Sequence, residues 1–196
     1  MSPLTPNPLS TLRVTKKQIP SYQNFPNTAL HRHPLIIYHS AYPSSLTADQ
    51  VEKHLSSVGV VKPAWRFPMY RQHHYHSNTH ELLVVVSGAG TLCFGGPRDE
   101  ENKSRTEIDV EKGDAMLVPS GVAHAMIEDK GGFSMVGSYP IGAKNWDMCT
   151  GQDGEKNDAW ETVKGVKWFD KDPIYGDEGP AINTREGDAN SKHGMP

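Results

Sequence analysis

The sequence predicts a mainly β fold, a single antiparallel barrel or sandwich with a short helix before it and an irregular extension after it, and three observations carry that reading. Seven runs of β-type pattern follow one another at Tyr70–His76, Glu81–Val86, Gly90–Phe94, Thr106–Val110, Asp114–Val118, Ala123–Glu128 and Phe133–Tyr139. Gly, Pro and Asn turn signals separate these runs. The chain has 196 residues, enough for one ordinary core with extensions and too few for two comfortable ones.

In chain order, residues 1–30 are rich in Pro, Ser, Thr and Asn, and read as an extended arm contributing at most an edge strand. The barrel domain with its preceding helix is placed at 31–143. It opens on a buried strand at Pro34–His39, marked by Leu35-Ile36-Ile37-Tyr38. A helix follows, with Thr47 and Gln50 as capping box, Leu46 and Val51 as hydrophobic staple, and Gly59 as its stop. Val51, Leu55 and Val58 form its buried stripe. Ser87-Gly88-Ala89-Gly90 and Lys112-Gly113-Asp114 read as tight hairpins, and the polar segment between Phe94 and Thr106 as a solvated hairpin tip. Residues 144–196 form a C-terminal extension and polar tail. A short helix is expected there near Asn157–Lys164, with buried anchors at Trp146, Trp160, Trp168 and Phe169, and a mobile tail from Thr184.

Composition removes several function classes. Twenty basic against twenty-three acidic side chains leave a net charge of −3, so no nucleic-acid partner is expected. Cys93 and Cys149 stand too far apart for a disulfide framework, which points to a reducing compartment. The N-terminus lacks the apolar stretch of a signal peptide, and the longest apolar run, Leu82 to Val86, cannot span a bilayer. A cytoplasmic location and no membrane partner are therefore expected. Exposed sheet edges predict a homodimer.

Four of the ten histidines fall within residues 73–80, in HHYHSNTHE, with Glu81 directly after. Side chains alternate along a strand, so His74 and His76 share a face and can share an ion. Ser77-Asn78-Thr79 is turn-prone, and a reversal there returns Glu81 to the same face. His124, after Pro119-Ser120-Gly121, is the best fourth ligand. By parity and crowding, His73 and His80 stand outside the set as supporting or surface groups. Three imidazoles and a carboxylate suit one divalent transition metal (Fe, Zn, Ni or Mn) and leave coordination positions open; a structural zinc site would be closed and cysteine-rich.

These residues resemble the cupin superfamily, whose first motif reads G-x5-H-x-H-x3-4-E-x6-G and whose second reads G-x5-P-x-G-x2-H-x3-N. His74, His76, Glu81 and Gly88 match the first at family spacing, with Pro68 at the leading glycine. Gly113, Pro119, Gly121 and His124 match the second, with Glu128 at the final Asn. HHYHS, SGAGTL, GSYP with the later Trp146-Asp147, and DPIYG are similar to small YjlB-like cupins. The resemblance implies a cupin-type β-barrel, a jelly-roll-like double-stranded β-helix, holding a metal.

Two functions follow. One is a metal-dependent enzyme acting on an oxygen-rich small molecule, dioxygenase-like or isomerase/lyase-like; the other is a non-catalytic module that binds or senses a small ligand. Parity with the ligands puts Tyr70, Gln72, Leu83, Val85, Met126 and Glu128 in the pocket. Tyr70 and Glu128 are the catalytic candidates, Glu128 as a general acid or base.

Overall fold

A computed structural model of the chain describes residues 4–182. The tail expected from Thr184 lies outside the described residues. Two antiparallel sheets face each other as a jelly-roll-like sandwich. The larger has the order β1 (Arg13–Lys17), β2 (Leu35–His39), β7 (Ala115–Val118), β4 (Glu81–Ser87), β9 (Ser134–Pro140), β3 (Val61–Phe67). The smaller has β5 (Ala89–Phe94) between β6 (Thr106–Glu111) and β8 (His124–Asp129). Helix α1 (Ala48–Val58) precedes β3, and α2 (Lys156–Lys164) follows the sandwich.

The large sheet is covered on both faces, which explains the unbroken apolar run of β4. Leu83 and Val85 point inward to Met116, Leu92, Phe94 and Met126 between the sheets. Leu82, Val84 and Val86 point outward, where Val51 and Leu55 of α1 and the C-terminal Ile174 cover them. Glu81 has the parity of Leu83, and so projects from the end of β4 into the sandwich interior.

Helix α1 starts as the sequence reads: the Gln50 N–H donates to Thr47 Oγ1 (3.3 Å), the Thr47 N–H donates to Gln50 Oε1 (3.0 Å), and Gly59 ends the helix at φ 72°. Thr47→Ala is expected to cost about 1 kcal/mol, read as a lower urea midpoint with an unchanged m-value.

Several expectations are corrected. The strand expected at Tyr70–His76 is instead an irregular segment with two isolated bridges, His74 to His124 and Tyr75 to Cys149, while the regular strand lies earlier, at Val61–Phe67. The two tight turns are not hairpins within one sheet. Each carries the chain across the sandwich, from β4 to β5 and from β6 to β7. A local turn signal reports reversal but not which sheet receives the next strand. Gly88 makes the first crossing at φ 65°, where a Cβ would lie 2.2 Å from the Gly131 carbonyl oxygen. In the arm, β1 pairs antiparallel with β2 as an edge strand. Trp160, Trp168 and Phe169 are half-buried, but Trp146, expected as a buried anchor, is 41% exposed. Both cysteines are free and buried, and no helix among the described residues is long and apolar enough to cross a membrane.

A second group of histidines ties the extension to the sandwich. His33 stacks between His31 (4.9 Å) and Trp168 (4.4 Å), and His80 meets Trp168 edge-on. Burial, then His31, pushes His33 down to about 4, and burial lowers His31 against the pull of the Ser120 carbonyl. Both rings are therefore neutral in the fold and titrate near 6.5 when unfolded. The unfolded chain binds more protons below that value, so stability is fully present above pH 6.5 and falls as the pH drops towards 4. Urea midpoints of chelator-treated protein are expected to decline across that window. His33→Gln should flatten the decline, and an unchanged slope would refute the assignment.

Candidate metal centre

The site lies at one end of the sandwich, where strand ends and the irregular 70–80 segment converge. The isolated bridge binds His74 to His124 through both backbone pairs, the His74 N–H to the His124 carbonyl (3.2 Å) and the His124 N–H to the His74 carbonyl (2.9 Å). His76 follows on the same face. Tyr75, between them, points the other way and packs against Phe25. The Gly121 N–H donates to the His76 carbonyl (2.9 Å), so the Pro119-Ser120-Gly121 turn is fastened to the first histidine pair.

Each of the three imidazoles has Nδ1 facing a backbone carbonyl: His74 that of Gln72 (3.0 Å), His124 that of Val122 (2.9 Å), and His76 that of Asp147. A carbonyl only accepts, so each Nδ1 carries the proton and each Nε2 offers a lone pair. The ligand atoms of the three rings lie within 4.8 Å of one another, and all three residues are buried. Glu81 is not one of these three mutually close ligand residues but lies beside them, with Oε2 3.5 Å from His76 Nε2 and 3.6 Å from His124 Nε2. Its Oε1 is buried without a hydrogen-bond partner. An acceptor left unsatisfied at such depth is costly unless something positive meets it, and the donor set fits a divalent transition metal.

Electrostatics agree at His74 and His124 and set His76 apart. Burial, then His74, pushes His124 down to about 3, and burial lowers His74, so both are neutral lone-pair donors at neutral pH. Burial pulls His76 down too, but the hydrogen bond and charge of Glu81 outweigh it and hold this ring above its ordinary value. Burial pushes the Glu81 carboxyl up, yet His76, His124 and the Tyr139 hydroxyl draw it below its ordinary value. The carboxylate is therefore ionised and in place.

Residues 60–135 match the family described as Cupin domain. Over 166 residues, 84% of this chain and 88% of the relative, the sequence is 30% identical to the uncharacterised protein YjlB of Bacillus subtilis (strain 168). The chain is a YjlB-like cupin. Similar solved structures include the 11S globulin from Wrightia tinctoria (13% identity, TM-score 0.33, 74% of this chain and 28% of that one). A salicylate 1,2-dioxygenase from Pseudaminobacter salicylatoxidans is also similar (14% identity, TM-score 0.29, 55% of this chain and 21% of that one). The chain thus spans less than a third of the length of either solved protein.

In this cupin the four metal candidates meet at the floor of a cavity of about 490 Å³. Tyr70 and Leu83, both expected in the pocket, line it; Tyr70 is 60% exposed at the mouth and meets the His74 ring edge-on. Gln72, Val85, Met126 and Glu128 are not among the lining residues. For Glu128 the reason is a β-bulge. Leu92 pairs with Met126 but Thr91 pairs with Glu128, so Ile127 is an extra residue and everything after it changes face. Glu128 is exposed on the outside of the small sheet. His80, outside the ligand set as parity requires, is fully buried. It accepts from the Ser120 N–H at Nδ1 (2.8 Å) and donates from Nε2 to the Lys167 carbonyl (3.1 Å), which clamps the turn before His124.

Sequence reasoning gave no role at the site to four residues, Trp65, Tyr139, Trp146 and Asp147. The Tyr139 hydroxyl accepts from the Trp65 indole N–H (3.0 Å) and acts on Glu81. Trp65 reaches it because its β9 neighbour is Gly137, where a Cβ would lie 2.1 Å from the indole ring. Asp147 grips the ligand segment from a loop 70 residues away: Oδ1 accepts from the Ser77 N–H (2.7 Å), Oδ2 from the Ser77 hydroxyl, and its carbonyl from His76 Nδ1. Trp146 beside it stands edge-on to His76 and parallel to Tyr139. The Trp146-Asp147 pair was visible as a shared segment of YjlB-like sequences, but nothing local assigned it a role.

Proposed function

We propose that His74, His76, Glu81 and His124 hold one divalent transition metal, and that this cupin acts on a small oxygen-bearing molecule bound above it. The observation that carries the reading is the convergence of three Nε2 lone pairs and one carboxylate on the floor of a cavity large enough for a small organic ligand. A metal there supplies Lewis acidity, or a platform for dioxygen if it is iron. The protein's own groups fix the three imidazoles in one tautomer, keep the carboxylate ionised, and surround the ion with apolar walls. Tyr70 and Tyr139 are the lining residues with hydroxyls, and Tyr70, at the open side, is placed to meet a ligand.

A non-catalytic binding module is the second reading, favoured by the absence of any lining carboxylate other than Glu81 among the described residues. Elemental analysis of tag-free protein beside a His74→Ala control tests the metal. About one equivalent, lost in the control, supports it; no metal in either sample, and none taken up on reconstitution, refutes it. Iron would direct the search to oxygen consumption, and zinc, nickel or manganese to isomerase or lyase chemistry. We further propose a homodimer, supported by the position of β3 at the edge of the large sheet among the described residues and the exposed Phe67 on it; a monomeric mass by light scattering would exclude it.

A further inference from the structure

The chemistry of the cavity wall narrows the ligand. Above the floor the wall is apolar and mostly aromatic: Trp65, Phe67, Met69, Leu83 and Trp146. Trp65 and Phe67 stand two apart on β3 with ring centroids 6.3 Å from each other, and beside them, joined by the Trp65–Tyr139 hydrogen bond, Tyr139 and Trp146 lie within 20° of parallel. Among the described lining residues there is no Lys, Asp, Asn, Gln, Ser or Thr. Besides the metal candidates, polar groups in the lining come from Tyr70, Tyr139, Arg71 and the two indoles, too few to pair the many hydroxyls of a sugar or polyol, which opposes its binding. A flat apolar body meets partners on every side.

Charge selects the other end of the ligand. With a divalent ion, three neutral imidazoles and one carboxylate, the floor carries a net charge of about +1, and it lies in a buried setting where an unmatched charge is costly. The single lining cation, Arg71, stands at the mouth with one guanidinium N–H donated to the Ile127 carbonyl (3.0 Å). Both features favour an anion entering the cavity, and neither favours a cation or a neutral polar molecule.

We propose that the cavity takes aromatic carboxylates or similarly flat apolar acids, with the oxyanion towards the metal floor and the ring packed against the aromatic lining of Trp65, Phe67, Tyr139 and Trp146. This rests on the metal reading above and adds the ligand class. Arg71 steers the anion at the entrance and supplies the weaker second contact.

The test uses the full chain loaded with zinc, which has no redox chemistry, after its metal content has been measured. Calorimetric titration with 3-phenylpropionate is expected to give saturable binding at least about tenfold tighter than its primary amide, succinate or glucose, a tenfold step being about 1.4 kcal/mol. In the cobalt-loaded protein the same acid should shift the visible bands, as a new oxygen donor on the ion must. Arg71→Gln should weaken the acid about three- to fivefold, the span of an exposed ion pair, and leave metal content unchanged. Amide, succinate or glucose binding as tightly as the acid, or no binding of the acid to protein holding one zinc, would overturn the ligand class while the metal reading stands. Failure to take up zinc or cobalt would overturn both.

Discussion

Glu81→Gln is expected to abolish the thermal stabilisation that a divalent metal gives this protein, while costing the chelator-treated chain only the smaller contribution of the Glu81–His76 pairing. The two halves have different causes. With metal at about a hundred times its Kd, a folded-state site contributes about 2.7 kcal/mol, or roughly 5–10 °C in Tm for a chain of this size. That gain requires the anionic oxygen of Glu81, which a neutral amide does not provide. Without metal, Oε1 is unpartnered, but Oε2 faces His76 and the carboxyl is held below its ordinary value, so removing the charge costs the chelated chain that pairing while opening no cavity. Differential scanning calorimetry with and without zinc measures both. A metal-dependent rise in Tm equal to wild type in the Glu81→Gln protein would exclude Glu81 as a ligand; a large loss of stability in the chelated variant would mean that the carboxylate serves the fold instead.

The second large effect is expected at a residue that never touches the ion. Asp147→Ala removes both acceptors that hold Ser77 and frees the backbone carbonyl that receives His76 Nδ1–H. His76 then loses its fixed orientation, and metal affinity should fall about 10- to 100-fold, the usual cost of losing a group that orients a metal histidine. Asp147→Asn, which keeps an oxygen for the Ser77 N–H, should fall between. The cobalt spectrum separates this from general unfolding: a displaced His76 changes band position as well as affinity. Wild-type affinity and spectrum in Asp147→Ala would show that the loop merely rests on the site.

What the sequence made legible, and what it hid, follows from the range of each interaction. The grouping of His74, His76, Glu81 and His124 at one cavity was readable because two of these candidates share a short segment and the others sit at fixed offsets from turn residues. The start of α1 was readable because its capping box lies within four residues. Glu128 was misplaced because parity holds only while pairing is regular, and the one-residue bulge at Ile127 reverses it. The crossing turns at Gly88 and Gly113 look like hairpin turns because their φ requirements are alike and only the receiving sheet differs. Asp147 was silent because its contact with His76 is made by a backbone carbonyl, a group that every residue type possesses. Trp65 and Tyr139 depend on a glycine in a neighbouring strand, and no local pattern encodes that complementarity.

The order of strands in the large sheet also bears on how the protein is made. Its centre, β7 and β4, is flanked by β2 and β9, so residues 35–39 must find residues 115–118, and residues 81–87 must find residues 134–140. Among the described strands, pairing between immediate successors is confined to β1 with β2 and β5 with β6, and neither pair builds the centre of the large sheet. Such non-local pairing places folding on the millisecond-to-second scale. His124 joins the other ligands only after β8 has formed, so metal capture should follow assembly of the sandwich rather than nucleate it. Refolding rates in stopped-flow experiments should accordingly be the same with and without zinc, with the ion acting only on the rate of unfolding.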